Sequence, residues 1–217
     1  MTGIESGRRH TRDDVALTAL RILDDHGLPD LTMRRLAAAL DVQPSALYWH
    51  FPNKQTLLAD LADRIVAASE AGASGRAAAP EPTGMDAVRD EAAALRDALL
   101  AYRDGAEVVA STLALGLGAG AALDRLASAV ARGGFDDATC RRAATALLHF
   151  VLGHVSHEQQ RMQYDSLGVL TDAAEPAITP GGDSATAEFS FGVDLLVGGL
   201  EHLRAQQRDA EVSRPRT

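Results

Sequence analysis

The chain has 217 residues, of which 46% are hydrophobic and 24% charged, a balance typical of a globular protein with a buried core. The net charge of −9 argues against general affinity for nucleic acid, but residues 1–55 carry seven basic and seven acidic side chains, so the acidic excess lies beyond them. The polar first residues, the lack of any apolar run of ~18 residues and a single cysteine argue against a secretory signal, a membrane span and an internal disulfide, and we expect a cytoplasmic protein.

The first 70 residues are predicted to form four helices separated by short connections. Thr11, Thr32 and Asn53 are suitable N-caps, Pro44 suits the first position of a helix, and Gly27 is a typical stop. Apolar residues recur at helical spacing between these signals. The predicted helices span about 11–26, 32–40, 44–50 and 54–70.

The rest of the chain is also predicted to be helical. Residues 71–84 are rich in Ala, Gly and Pro and are expected to connect two helices. Residues 166–187 contain several glycines and prolines and are expected to form a flexible loop. Further helices are predicted at about 85–103, 105–115, 120–132, 137–163 and 188–207. Because no segment has the alternation typical of strands, the expected fold class is all-α.

Two short helices joined by three or four residues inside a three-helix unit are typical of a helix-turn-helix. The second short helix of such a unit enters the DNA major groove. Leu47 is expected to face inward with Leu36, Val42 and Phe51. Small residues at the helix start allow close approach to base edges, and polar or aromatic residues after them can contact phosphates. The side chains left for DNA are Ser45, Ala46, Tyr48, His50 and Lys54.

Two features of this segment have alternative interpretations. Arg34 and Arg35 lie in the first turn of a helix, where the helix dipole disfavours cations, so they are either phosphate contacts or a solvated pair. Trp49 either faces DNA with its neighbours or belongs to an aromatic cluster in a small core.

The stretch LTMRRLAAALDVQPSALYWHFPNKQTLLADLADRI, residues 31–65, resembles the DNA-binding domain of the TetR family of bacterial regulators. Residues 98–106 and 149–153 are similar to segments of the regulatory domain in the tetracycline repressor subgroup. The resemblance implies a helix-turn-helix DNA-binding domain at 1–55, a connecting helix at 56–70 and a ligand-binding and dimerisation domain at 71–217.

The resemblance also implies which residues contact DNA. Arg34 matches a base-reading arginine, and Pro44, Ser45 and Ala46 occupy the start of the recognition helix. Tyr48, Trp49, His50 and Lys54 match positions that hold the DNA backbone or neighbouring bases. Arg35 is also expected to contact DNA, on the basis of the arginine pair alone. The tetracycline repressor has Gln-Pro-Thr where this chain has Pro-Ser-Ala, so a different operator sequence is expected.

The positions that match the tetracycline pocket differ from the tetracycline repressor more strongly than the DNA-contact positions do. Val109 replaces the histidine that holds magnesium, Leu95 replaces an aromatic wall, and Glu70, Glu91 and Leu126 stand where the drug's polar edge is held. A metal-bound tetracycline is therefore not expected, and no cofactor is predicted. An apolar lining with few polar groups favours a small, largely apolar effector. The expected pocket residues are Glu91, Leu95, Val109, Thr112, Leu113, Leu126, Val130 and His149. The alternative is that several of these residues are simply core.

Other candidate sites carry weaker patterns. His154 and His157 have the spacing of a metal-ligand pair on a helix that also holds His149, but no third ligand is evident, and exposed or interface histidines are the alternative. Cys140 is expected to be a structural residue, with redox sensing as the alternative because Arg141 and Arg142 follow it.

The helix-turn-helix pattern and the resemblance to the TetR family together imply a ligand-responsive regulator, a repressor that binds a palindromic operator as a homodimer and is released by its effector. The alternatives are an activator, or a helical bundle that binds a small molecule and no longer reads DNA. No Gly-rich phosphate loop, nucleophile elbow or His-Glu metal motif is present in the sequence, so an enzyme is not expected.

Overall fold

The computed structural model of the chain describes residues 10–74, 84–166 and 182–212, with side chains described at 10–68, 84–166 and 184–209. Nine α-helices and no strands are present in these ranges. The helices are α1 Arg12–His26, α2 Met33–Ala39, α3 Pro44–Leu47, α4 Lys54–Ser74, α5 Asp86–Leu100, α6 Gly105–Ala114, α7 Gly120–Ala131, α8 Asp137–Ser166 and α9 Gly182–Val212. The all-α prediction is confirmed.

The predicted caps form the hydrogen bonds expected of them. The Thr11 side chain accepts from the backbone N–H of Asp14, whose own carboxylate accepts from the backbone N–H of Thr11. The Thr32 side chain accepts from the third residue of α2, and Asn53 does the same at the start of α4. Gly27 ends α1 with a φ of 81°, a conformation that favours glycine.

The boundaries of five helices differ from the prediction by three residues or more. α5 ends at Leu100 rather than near 103, and α8 reaches Ser166 rather than 163. α3 ends at Leu47 and continues as a turn through residue 50, because Phe51 still bonds to the carbonyl of Leu47. α4 reaches Ser74, four residues into the expected connection that began at 71. α9 begins at Gly182, so residues 182–187 are helical where a loop was expected, and residues 167–181 of that loop lie outside the described residues. Thr186 is bonded to Arg96 of α5, a tertiary contact that favours the earlier start.

The first three helices and the beginning of α4 share one small core. Leu36, Leu47 and Phe51 are at most 1% exposed, and Val42 packs at their edge, as predicted. The turn between α2 and α3 passes through Asp41, whose φ of 53° is left-handed and is one that aspartate tolerates better than most residues. This turn places α3 across α2.

Helices α5 to α9 form the second part of the molecule, and α4 packs against α5 and α6. α8 packs closely on α7, and α9 lies against α5 and α8. Within the described residues, no helix is both long enough and apolar enough to cross a membrane.

Cys140 lies near the start of α8 and is buried, with its thiol 3.6 Å from the carbonyl oxygen of Phe135. Burial raises the pKa of the Cys140 thiol, and the nearby carboxylates of Asp136 and Asp137 raise it further. A protonated, buried thiol is unreactive, so the redox interpretation of Cys140 is not supported, despite Arg141.

The packing of α3 predicts the effect of two substitutions next to each other. Leu47→Ala removes a side chain that is 1% exposed and is expected to lower the free energy of unfolding by about 2 to 5 kcal/mol. Tyr48→Ala, at a position that is 49% exposed, is expected to change it by less than about 0.5 kcal/mol. Urea unfolding followed by circular dichroism measures both, and equal losses would contradict the inward orientation of Leu47.

The burial and raised pKa of Cys140, the only cysteine in the sequence, predict how its thiol reacts. At pH 7 the native chain is expected to react slowly with an aromatic disulfide reagent, because the raised pKa keeps the thiol protonated and the protein covers it. The same chain in guanidinium chloride is the control and should react at once. A fast native reaction would contradict the burial of Cys140.

Candidate nucleic-acid interface and effector region

The exposed side of α3 carries the residues that were predicted to face DNA. Ser45, Ala46 and Tyr48 are exposed, while Pro44 and His50 are half-buried. A concave surface runs beside them between α3 and the residues that precede α1. It is lined by His10, Val42, Ser45, Ala46, Trp49 and His50, among others. The first turn of α3, with its small side chains, is therefore open to a large partner.

Trp49 is a large apolar residue that lies on the surface. Its side chain is 90% exposed although it is the largest apolar residue available to the small core. The core-cluster interpretation is therefore wrong for Trp49, because Leu47 and Phe51 take the inward positions on either side of it. An exposed tryptophan beside an exposed tyrosine is typical of a binding surface.

The two arginines of α2 differ in their surroundings. Arg35 makes a 2.7 Å ion pair with Asp30 and is half-buried. Arg34 is exposed, and its side chain has no hydrogen bond or ion pair with any described residue. Its guanidinium therefore remains available for a ligand outside the chain, in a helical turn whose backbone N–H groups favour anions.

Charged side chains fix α1 and α4 to each other behind this surface. Asp60 of α4 accepts bonds from Arg12 at 3.0 Å and from Arg64 at 2.7 Å, and Arg64 also pairs with Asp13 at 2.6 Å. The guanidinium of Arg12 lies 4.4 Å above the ring of Phe51. The hydrogen bonds that the Arg64 guanidinium donates to Asp60 and Asp13 raise its pKa. Lys54, at the start of α4, is half-buried.

The apolar residues predicted for the effector pocket lie in the interior of the second part of the molecule. Five of the eight are at most 1% exposed: Leu95, Val109, Thr112, Leu126 and Val130. Leu113 is half-buried against this cluster. The Thr112 hydroxyl bonds to carbonyls of its own helix, at Val108 and Val109, so it is already satisfied without a ligand. The cluster is closed in this conformation.

Glu91 is paired rather than free, and its partner was missed in the sequence. Arg125 of α7 binds Glu91 of α5 at 2.7 Å, and both side chains are about four-fifths buried. Arg125 also donates a 3.1 Å bond to the carbonyl of Val66 on α4. Glu91 therefore belongs to an ion pair that reaches α4. The Glu70 side chain lies outside the described residues.

The structure does not bring His149 to the other pocket residues. It is exposed on α8, whose buried stripe contains Leu147, Leu148, Val151 and Leu152 and leaves residue 149 on the outer side. His154 instead packs its ring against Phe150 and Phe189, with ring centres 5.7 and 5.4 Å apart. Within the described residues, no three metal-ligating side chains come together around these histidines.

The outer face of α8 and α9 is unusually rich in apolar and small residues. Phe191 is 66% and Leu195 is 62% exposed. A Cβ added to Gly153 or Gly198 would meet no atom within 4 Å in the single chain. The face therefore allows another helix to approach closely.

Two family models match the chain. The model for bacterial regulatory proteins of the tetR family matches residues 17–61. The model for the tetracyclin repressor-like C-terminal domain matches residues 78–204.

Relatives with known roles cover nearly the whole chain. The class C tetracycline repressor protein from Escherichia coli is 34% identical over 218 residues, covering 93% of this chain and 95% of the relative. The class E repressor from Escherichia coli is 32% identical and covers 88% of this chain and 91% of the relative.

Solved structures show the same arrangement of helices. BioQ from Mycobacterium smegmatis is 38% identical with a TM-score of 0.73, covering 88% of this chain and 97% of that one. BioQ with its natural double-stranded DNA operator is 37% identical, with a TM-score of 0.69 and coverage of 88% and 98%. A TetR variant from Acinetobacter baumannii in complex with minocycline is 30% identical, with a TM-score of 0.67 and coverage of 90% and 98%.

The family models, the identity to full-length repressors and the shared helix arrangement agree with the geometry of α2, α3 and α4. The chain belongs to the TetR family of bacterial regulatory proteins.

Proposed function

We propose that the chain is a cytoplasmic transcriptional repressor that binds a palindromic operator as a homodimer and is released by a small, largely apolar molecule. The observation that carries the proposal is the exposed face of α3, where Trp49 and Tyr48 stand outside a core that Leu47 and Phe51 fill. Similarity to a relative bound to its operator supports the same use of this face.

Each segment of the chain is assigned one role. Residues 1–55 form the DNA-binding domain, 56–70 the connecting helix and 71–217 the domain that binds the effector and the second subunit. The DNA contacts are Arg34, Arg35, Lys54 and the exposed positions of residues 44–50. Arg35 reaches DNA by exchanging its bond with Asp30 for one to phosphate, a substitution of one anion for another.

The effector is expected among α5, α6 and α7, close to α4. The residues that would line its site are apolar apart from Thr112, and the ion pair of Glu91 with Arg125 supplies charged groups. The structure of a relative with minocycline supports this part of the fold as a ligand domain, but Val109 at the magnesium-binding position argues against a metal chelate here. Because the cluster is closed, an effector must separate these helices and so displace α4.

The second subunit is expected to cover the outer face of α8 and α9. Phe191 and Leu195 expose large apolar side chains on this face, and Gly153 and Gly198 allow close helix approach. A two-fold interface through this face forms a four-helix bundle and fixes two copies of α3 at one spacing.

Selection of duplexes from a random DNA pool, followed by sequencing, tests the proposal. An inverted repeat with half-sites separated by one helical turn or more is expected. Failure of the folded chain to enrich any duplex at low salt would overturn DNA binding and favour a bundle that only binds small molecules.

Arg34→Ala is expected to weaken binding to the selected duplex by about tenfold, since a charge-assisted contact to base or phosphate is lost. The control is Arg204→Ala, which removes the same charge from an exposed position of α9 far from α3. Fluorescence anisotropy at several salt concentrations measures both variants. Equal affinities for Arg34→Ala and the unmodified chain would show that α2 does not contact DNA.

Leu195→Glu is expected to convert the dimer to a monomer, because it places a charge in the centre of the outer face of α9. Leu115→Glu, in the connection between α6 and α7, is the control because Leu115 is 59% exposed and lies outside that face. Light scattering after gel filtration measures the mass of each. A dimeric Leu195→Glu variant would contradict the assignment of this face.

A further inference from the structure

The turn between α5 and α6 contacts both parts of the molecule through Asp104. Oδ2 of Asp104 accepts a 2.8 Å hydrogen bond from the backbone N–H of Leu28, in the connection between α1 and α2. Oδ1 accepts a 2.5 Å bond from Nε2 of Gln163, near the end of α8. One carboxylate therefore joins the DNA-binding domain to the long helix of the regulatory domain, using a separate oxygen for each.

Asp104 does not act as an ordinary helix cap. It precedes α6 with a φ of 56° and a ψ of 21°, a left-handed conformation that is costly for any residue with a side chain. An aspartate at this position usually accepts a bond from the first turn of its own helix. No such bond is present at α6, all of whose residues are described. Both carboxylate oxygens serve the connection between the two parts instead.

Gln159 of α8 supplies the cap that Asp104 does not. Its Oε1 accepts a 3.2 Å bond from the N–H of Ala106 in the first turn of α6. Its Nε2 donates to the carbonyls of Leu99 and Tyr102, at 3.0 and 2.8 Å, where α5 ends. This buried amide holds the turn against α8, so the carboxylate of Asp104 has a fixed position relative to that helix.

Gly27, in the DNA-binding domain, leaves room for the carboxylate of Asp104. Gly27 has a φ of 81°, and a Cβ added there would lie 2.8 Å from Oδ2 of Asp104. A larger residue would be disfavoured by its backbone conformation and by this collision. Gly27 therefore ends α1 and also admits the bond between Asp104 and Leu28.

We propose that Asp104 is a positioning residue that fixes the orientation of the DNA-binding domain relative to α8, through a connection separate from the continuous helix α4. The Arg103 backbone N–H of the same turn adds a longer bond, 3.4 Å, to Asp24 of α1. This inference rests on the proposed operator binding, because the spacing of two α3 helices is what such binding requires. A molecule that displaces the α5–α6 turn acts on Leu28 directly, without passing through α4. Loss of the bridge leaves α3 folded but poorly oriented.

Asp104→Gly tests the bridge, since it removes both acceptor oxygens while glycine accepts the left-handed backbone without strain. Exchange of the Leu28 amide hydrogen, measured by NMR on the full chain, is expected to become about tenfold faster. Affinity for the selected duplex is expected to fall about tenfold, while Tm and the dimer mass stay close to those of the unmodified chain.

Asp104→Asn is the conservative variant, because an amide keeps one acceptor oxygen where the carboxylate has two. An intermediate loss of operator affinity is expected. Asp90→Asn is the matched control, since it removes the same charge from an exposed position of α5 whose side chain has no hydrogen bond or ion pair with another described residue.

Unchanged Leu28 exchange in Asp104→Gly would overturn the bridge. Faster exchange with unchanged operator affinity would overturn the positioning role, and so would a fall in affinity that only parallels a fall in Tm. A chain that enriches no duplex at all contradicts the proposed operator binding, and the exchange at Leu28 still decides whether the bridge exists.

Discussion

Burial of Leu47 and Phe51 is the constraint on which the DNA-binding surface depends. A four-residue helix such as α3 is not stable alone, since helix nucleation is unfavourable and so few residues form almost no internal hydrogen bonds. It exists because these two side chains fill a core shared with α1, α2 and α4. Since they point inward, Tyr48 and Trp49 between them are left on the outer side. The exposure of Trp49 and Tyr48 is therefore a direct consequence of how α3 is held.

The two parts of the molecule are joined by a continuous helix and by hydrogen bonds between side chains and backbone. The α4 helix is continuous from the DNA-binding domain into the apolar cluster. The bonds of Asp60 with Arg12 and of Arg64 with Asp13 fasten α4 to α1, and so to the body that α1, α2 and α3 form around their shared core. Arg125 and Asp104 then connect this body to α7 and to the α5–α6 turn. An effector that shifts the helices of the regulatory domain can therefore change the position of α3 through hydrogen bonds as well as through apolar packing.

Most of the fold could be predicted from the sequence because its signals are local. Thr11, Thr32, Asn53 and Pro44 each act within one helical turn, and their predicted roles are confirmed. Helix ends were less predictable, because tertiary contacts extend helices beyond their local signals, as Arg96 does at the start of α9.

The site was only partly predictable for the same reason. The inward and outward positions of α3 follow from helical spacing, as Leu47 illustrates, but pairs between distant helices have no local signal. The bonds of Glu91 with Arg125 and of Asp104 with Leu28 therefore remained hidden. His149 was misplaced, although the buried stripe of α8 contains the signal that it faces outward.

The emission of Trp49 tests the central claim most directly. It is the only tryptophan in the sequence, and its 90% exposure in the free chain places it at the proposed DNA surface. On titration with the selected duplex, its fluorescence is expected to be quenched at the concentrations at which anisotropy detects binding, because DNA covers or stacks against the indole. Unchanged emission at saturating duplex would show that DNA binds elsewhere, and would contradict the assignment of α3 as the recognition helix.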